Sequence, residues 1–86
     1  MIIDDPNQYE KKNTEHIYQI QILGEINQVR MDWFSKMGFD SSVNDSGDPI
    51  TTISGVIVDQ SHLRGTLNKI WDLNFEVILV ERADKI

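Results

Sequence analysis

The most constraining feature of this chain is a stretch near its C-terminus in which apolar residues recur with the period of an α-helix. Asp59 is a suitable N-cap, because its carboxylate can accept from the free N–H groups of a first helical turn. Val58 and Leu63 stand at the two positions of a hydrophobic staple, and Asn74 suits the left-handed residue that follows many helices. We therefore predict a helix over residues 59–73 that packs on another layer through one apolar stripe. The stripe consists of Leu63, Leu67, Ile70 and Trp71.

Two further segments have the patterns of β-strands. Residues 76–82 form a short β-branched run with charged ends, which predicts a strand buried on both faces. Gly24 shares the inward parity of an alternating strand, so we expect either a bulge there or the close approach of a packed ring, Trp33 or Trp71. That strand is predicted over residues 16–26, and its other inward residues are Tyr18, Ile20, Ile22 and Ile26.

The middle of the chain predicts a short helix and a hairpin. Asn27 can cap a helix over 28–37 that Gly38 ends, with Val29, Trp33 and Met37 on one face; the alternative is a single turn starting at Asp32. Residues 44–49 have the composition of a hairpin loop. The inward residues of its two strands are predicted to be Phe39, Ser41, Val43, Thr51, Ile53, Gly55 and Ile57.

The resulting order is β-α-β-β-α-β, which predicts a ferredoxin-like α+β fold with one four-stranded antiparallel sheet and both helices on the same face. Right-handed crossovers place the first and third strands in the centre. We expect a single domain over 15–86 after a polar, flexible N-terminal arm at 1–14. An apolar last strand at a sheet edge is usually covered, so we expect a homodimer, formed by strand pairing or by closure of the open sheet face with a partner sheet.

Composition excludes several partners. The 86 residues include 14 acidic and 8 basic ones, a formal charge of −6 that disfavours nucleic acid and anionic membranes. The chain has no cysteine, which suits a reducing compartment, and its start does not have the pattern of a signal peptide. We expect a cytoplasmic protein that spans no membrane and uses no cofactor.

Few residues are candidates for chemistry. His16 and His62 lack zinc-ligand spacing, so we expect no metal site. His62 and Asp59 could handle a proton as a pair, although a histidine in a first helical turn is more often solvated. His62, Trp33 and Trp71 are weak ligand-binding candidates, and core packing is the favoured interpretation of both tryptophans.

The predicted surface of the long helix and the last strand suggests an interaction face. Gly65 lies mid-helix, where glycine costs roughly 1 kcal/mol relative to alanine. Either another backbone approaches there or the site is a tolerant piece of surface. The predicted interaction face comprises the small or polar helix residues Ser61, Gly65, Asn68 and Asp72 together with Val77 and Leu79 of the last strand.

A resemblance adds to these observations. Gly24-Glu25-Ile26, Trp33-Phe34, Gly55, residues 59–67 and Asp72-Leu73 resemble a family of short uncharacterised bacterial proteins over about residues 17–81. The specific part is a helix motif of the form DQ..L.G.L. That family often has an aromatic residue at the position of Arg30 and glycine at that of Asn74, so a shared aromatic pocket near Arg30 is not expected here. The resemblance implies no established activity and no catalytic residue.

Three function classes remain open. The favoured one is a small homodimeric interaction or regulatory module that engages another protein. The second is a small-ligand sensor that binds at a subunit interface, near a helix N-terminus such as that of Asp59. The third, which rests on fold analogy alone, is a small dimeric α+β-barrel enzyme using His62, Trp33 and Trp71. A solvent-open cavity lined by His62 favours the enzyme, and a filled core with flat outer faces favours the interaction module.

Overall fold

The computed structural model describes residues 15–34 and 36–83. The six elements follow in the predicted order: β1 His16–Leu23, α1 Gln28–Met31, β2 Gly38–Val43, β3 Pro49–Ile57, α2 Gln60–Asp72 and β4 Glu76–Arg82. The strands form one antiparallel sheet in the order β2-β3-β1-β4, so the first and third strands are central as predicted. The predicted arm at 1–14 lies outside the described residues.

One apolar core lies on one face of the sheet. Ile20 and Ile22 of β1 pack there with Ile53 of β3, which confirms the predicted parity of both central strands. Phe34, which follows α1, and Ile70 of α2 belong to the same cluster. Both helical segments therefore cover the same side of the sheet, as a ferredoxin-like fold requires.

The ends of α2 are closed as the sequence predicts. Asp59 Oδ1 accepts from the His62 backbone N–H at 2.8 Å. At the other end Asn74 adopts a left-handed φ of 68°. The Asn74 N–H donates to the Trp71 carbonyl at 2.8 Å and the Phe75 N–H donates to the Ile70 carbonyl at 3.3 Å, which is the bonding of a Schellman motif.

The predicted stripe of α2 is wrong at Trp71, which is 51% exposed. Thr66 is buried instead, and its hydroxyl donates to the His62 carbonyl one turn back. Neighbouring helical residues point about 100° apart, so a helix that buries Ile70 deeply turns Trp71 to its flank. The favoured interpretation of both tryptophans as core residues is likewise wrong, because Trp33 is also 51% exposed.

The first helix is much shorter than the predicted 28–37. Asn27 caps it as predicted, its side chain accepting from the Arg30 N–H at 2.9 Å, but α1 ends at Met31. The N–H groups of Trp33 and Phe34 then bond three residues back, a tight 3₁₀-like closure. The buried residue is Phe34, while Val29 and Trp33 of the predicted inward face are exposed. A one-turn helix gains little stability from its own hydrogen bonds. The burial of Phe34 therefore decides where α1 ends and how the chain continues.

Gly38 does not end that helix, because it is the first residue of β2. The left-handed residue after α1 is Lys36, with a φ of 67°. Gly24 does meet a ring as expected, but the ring belongs to Phe75, which would lie 3.3 Å from an added Cβ. Gly24 also has a φ of +115°, a conformation that other residues rarely adopt.

Both edge strands are less buried than predicted. On β2, Ser41 and Val43 are exposed although the pattern placed them inward. One turn of α1 is too short to cover the end of β2, and only Phe39 gains cover, from an edge-to-face contact with the Phe34 ring at 6.1 Å between centroids. The prediction that β4 is buried on both faces is also wrong, since Ile78, Leu79 and Val80 are 47%, 37% and 39% exposed.

Candidate interaction surfaces

The first candidate surface is the β4 edge, defined by Ile78, Leu79 and Val80. Within the described residues β4 pairs with β1 alone, so its outer side has no described strand beside it. Leu79 of the predicted interaction face is exposed here, whereas Val77 is half-buried and packs against the core. The register with β1 steps from Leu79 opposite Gln21 to Val77 opposite Ile22. Ile78 is therefore the extra residue of a β-bulge.

The second candidate surface is the sheet face, the side of the sheet away from the helices. Directly paired residues of antiparallel strands point to the same side, so the pairing of β1 with β3 defines its centre. That centre consists of Ile17, Gln19, Gln21, Leu23, Ile50, Thr52, Ser54 and Val56. None of these eight described residues is charged. Ile50 alone of the eight is buried, while the paired Ile17 and Val56 are 44% and 51% exposed.

The third candidate surface is the outer side of α2. Ser61, Gly65, Asn68 and Asp72 are all exposed, as expected of the predicted interaction face. An added Cβ at Gly65 would meet nothing within 4 Å. No other described backbone therefore approaches Gly65 in a single chain, and the missing side chain leaves open space beside the helix.

That open space belongs to a shallow groove of about 170 Å³, here called the α2 groove. Lys69 crosses it, since its ammonium group donates to the Trp33 carbonyl at 2.8 Å and lies 5.6 Å from the centre of the Phe34 ring. This hydrogen bond and the cation–π contact hold the turn after α1 against α2. The groove is lined by Phe34, Met37, His62, Gly65, Thr66 and Lys69.

His62 lines the α2 groove, but it does not form the proton-handling pair considered from the sequence. Its Nδ1 accepts from the Val58 backbone N–H at 3.1 Å, while the Asp59 carboxylate accepts from the backbone of His62 rather than from the ring. A neutral ring that accepts at Nδ1 carries its proton on Nε2. The Val58 hydrogen bond thus orients the imidazole ring, and the Asp59 carboxylate caps the helix rather than contacting the ring.

The three weak ligand-binding candidates are not brought together. Trp71 lines a different groove of about 310 Å³, with Gln60, Leu63, Arg64 and Leu67. His62 and Trp71 are nine residues apart, about 180° around a helix, so they lie on opposite flanks of α2. Trp33 contributes its backbone carbonyl to the Lys69 contact.

The sequence contained signals for two features that the predictions missed. The uncharged centre of the sheet face follows from the residues of β1 and β3 that alternate with the core positions, once the two strands are paired. The α2 groove had one signal, the unexplained Gly65. Its opposite wall depends on Phe34, whose burial requires α1 to end at Met31.

Neither a metal-binding cluster nor a membrane-spanning helix is found among the described residues. Among residues 15–34 and 36–83, no cluster of three or more His, Cys, Asp or Glu side chains could hold a metal ion. No helix within the described part of the chain has the length and apolar character needed to cross a membrane.

Comparison with known proteins identifies a family whose function is unknown. A family model described as a domain of unknown function (DUF8691) matches residues 17–81, from the second residue of β1 to the penultimate residue of β4. No curated protein and no solved structure matches the chain. The match covers residues of all six elements.

Proposed function

The chain belongs to this family of domains of unknown function, and from its exposed surfaces we propose that it is a small interaction module. It assembles as a homodimer and engages other proteins. A cytoplasmic location stays a prediction from the cysteine-free composition.

One observation carries the proposal: three consecutive apolar residues of an edge strand, Ile78 to Val80, are each more than one third exposed. Monomeric proteins usually protect edge strands with charged residues, proline or a covering segment. Exposed large apolar residues that follow one another on one strand, rather than singly over the surface, mark a candidate association site. A chain of 86 residues also has a modest core of its own, so burial of this surface between copies would add stability.

Sedimentation equilibrium of the full chain tests this proposal. We expect twice the mass of one chain at about 100 µM, with dissociation on dilution toward about 1 µM. A defined two-copy species distinguishes specific assembly from the mixed sizes of aggregation. A mass of one chain at every concentration up to about 500 µM would contradict the proposal.

A small-ligand sensor is the second candidate, favoured by the α2 groove. Gly65 keeps the groove open despite its cost in a helix, and the His62 ring and the Lys69 ammonium group place polar chemistry at its wall. The same groove would serve the enzyme alternative, although the His62 ring has a backbone partner at Nδ1 rather than a carboxylate.

Thermal shift against a panel of small anionic and neutral metabolites tests the sensor. The variant Gly65→Leu fills the groove, and Ser61→Leu places the same side chain on the exposed first turn of α2 as a matched control. A sensor shows a ligand-induced rise in Tm that Gly65→Leu abolishes and Ser61→Leu retains. If no compound shifts Tm, or if Gly65→Leu retains the shift, this groove is not the ligand site.

A further inference from the structure

Two surfaces could join the copies of a homodimer, and the structure distinguishes them. Pairing of two β4 edges needs a regular row of backbone N–H and C=O groups. The bulge at Ile78 interrupts that row between Val77 and Leu79. Bulges of this kind twist an edge strand and end regular pairing. Strand-to-strand extension through β4 is therefore disfavoured, although its side chains remain exposed.

The centre of the sheet face lacks charged residues, as the centres of protein–protein interfaces commonly do. Charged residues make up 26% of the chain, but none of the eight residues at the centre of this face is charged. Depletion of charge at a polar-rimmed centre distinguishes interface cores from ordinary surface. Glutamine, serine and threonine side chains there can bond across an interface, and Ile17 and Val56 form an exposed apolar pair.

Leu79 adds a separate exposed apolar residue on the sheet-face side of the edge strand. It pairs with Gln21, a residue of the sheet face, so its side chain points to the same side. Val80 pairs with the core residue Ile20 and points to the helix side. The exposed residues of β4 are thus divided between two sides of the sheet, and Leu79 lies on the side of the sheet face.

We propose that the homodimer forms by stacking of two sheet faces, with Ile17, Val56 and Leu79 of each copy in the contact. The inference rests on the proposed homodimer and assigns its interface. The occupant of the face is a second copy of this chain, because the uncharged centre needs no complementary charge from its partner and is compatible with itself across a two-fold axis.

The available area suits such a dimer. Four strands spaced about 4.8 Å apart, with about seven residues each at about 3.3 Å per residue, give a projected area of about 440 Å² per copy. Two copies contribute about 900 Å² before the relief of side chains is counted, close to the lower end of specific interfaces at about 1,200 Å². We therefore expect a dissociation constant in the micromolar range.

The rim of the sheet face predicts how salt acts on the dimer. Asp40 pairs with Thr52 on one edge. On the other edge Glu76 pairs with Leu23 and Glu81 pairs with Gln19, so all three carboxylates point to the sheet-face side. Stacked copies bring these acidic rims toward each other. Salt screens that repulsion, so raising NaCl from about 0.05 M to about 0.5 M should tighten the dimer by several fold.

Three matched substitutions test the interface by sedimentation equilibrium. Val56→Glu places a carboxylate on the sheet face beside Ile17, Val80→Glu places one on the helix side of β4, and Val43→Glu places one on the opposite edge strand. All three positions are exposed, so each variant should fold, which far-UV circular dichroism checks. We expect Val56→Glu to raise the dissociation constant at least about tenfold and the other two variants to change it less than about twofold.

The outcomes separate this inference from the proposed function. A dimer that Val80→Glu dissociates and Val56→Glu leaves intact is joined through the β4 edge, which overturns the stacking inference and retains the homodimer. A wild-type monomer at about 500 µM overturns both. If Val56→Glu unfolds, Val56→Thr replaces it, because it keeps the side-chain shape and removes apolar surface; an unchanged dissociation constant for Val56→Thr, with a folded spectrum, also counts against stacking.

Discussion

At the scale of residues, Gly55 shows what a missing side chain does in this core. An added Cβ would lie 2.6 Å from the Met37 sulfur and 3.3 Å from the Lys36 carbonyl oxygen. We predict that Gly55→Ala lowers the free energy of unfolding by about 1–3 kcal/mol through overpacking. Urea unfolding followed by circular dichroism measures this change. An unchanged free energy would mean that Lys36 and Met37 can move away from β3 at little cost.

Gly65→Ala is the matched counterpart and should have the opposite sign. Gly65 lies inside α2, and an added Cβ meets nothing within 4 Å. Alanine is the better helix former by about 1 kcal/mol, so we predict an increase of about 0.5–1 kcal/mol in the free energy of unfolding. A decrease in the same urea experiment would show that a contact absent from the described chain needs the glycine.

At the scale of elements, the most distinctive local device is the N-terminal cap of α2. The Asp59 carboxylate satisfies the His62 N–H, and the His62 ring in turn accepts from Val58. We predict that Asp59→Ala lowers the free energy of unfolding by about 1 kcal/mol. Asn caps about as well, so Asp59→Asn should lose at most a few tenths of that amount.

Chemical denaturation of both variants tests the cap against the helix dipole. If Asp59→Asn loses as much as Asp59→Ala, charge at the helix N-terminus rather than the hydrogen bond carries the stabilisation. A full effect in Asp59→Ala alone supports the observed bond between the carboxylate and the backbone.

At the scale of the whole molecule, folding and assembly should be linked. A partner copy that binds only the folded chain stabilises it by mass action. We predict that the Tm of the wild-type chain rises by about 3 °C for each tenfold increase in concentration above the dissociation constant. The Val56→Glu variant should show a flat dependence over the same range. A flat dependence for the wild type would indicate that no folded dimer forms, and an equal slope for both proteins would locate the interface away from Val56.

Patterns that repeat along the chain predicted most of the fold. The alternation in β1, the cap and termination of α2 and the hairpin loop depend on the conformations of nearby residues. Each is found in the structure, although β1 ends at Leu23 rather than at residue 26 and β3 already begins at Pro49. Adjacent elements then permit few topologies, so the order β2-β3-β1-β4 also followed. The candidate site was harder to predict from the sequence. Its helix face was predicted as Ser61, Gly65, Asn68 and Asp72, but the α2 groove beside Gly65 was not predicted.

What the sequence determined by itself was thus the set of elements, their order and the inward parity of the central strands. Only the tertiary structure decided the burial of Phe34 over Trp33 and of Thr66 over Trp71, and the exposure of β4. The physical reason is that burial depends on how far each layer extends over its neighbour. A one-turn α1 leaves the end of β2 uncovered, and an edge position leaves Ile78 to Val80 exposed, although their sequence has the composition of a core strand.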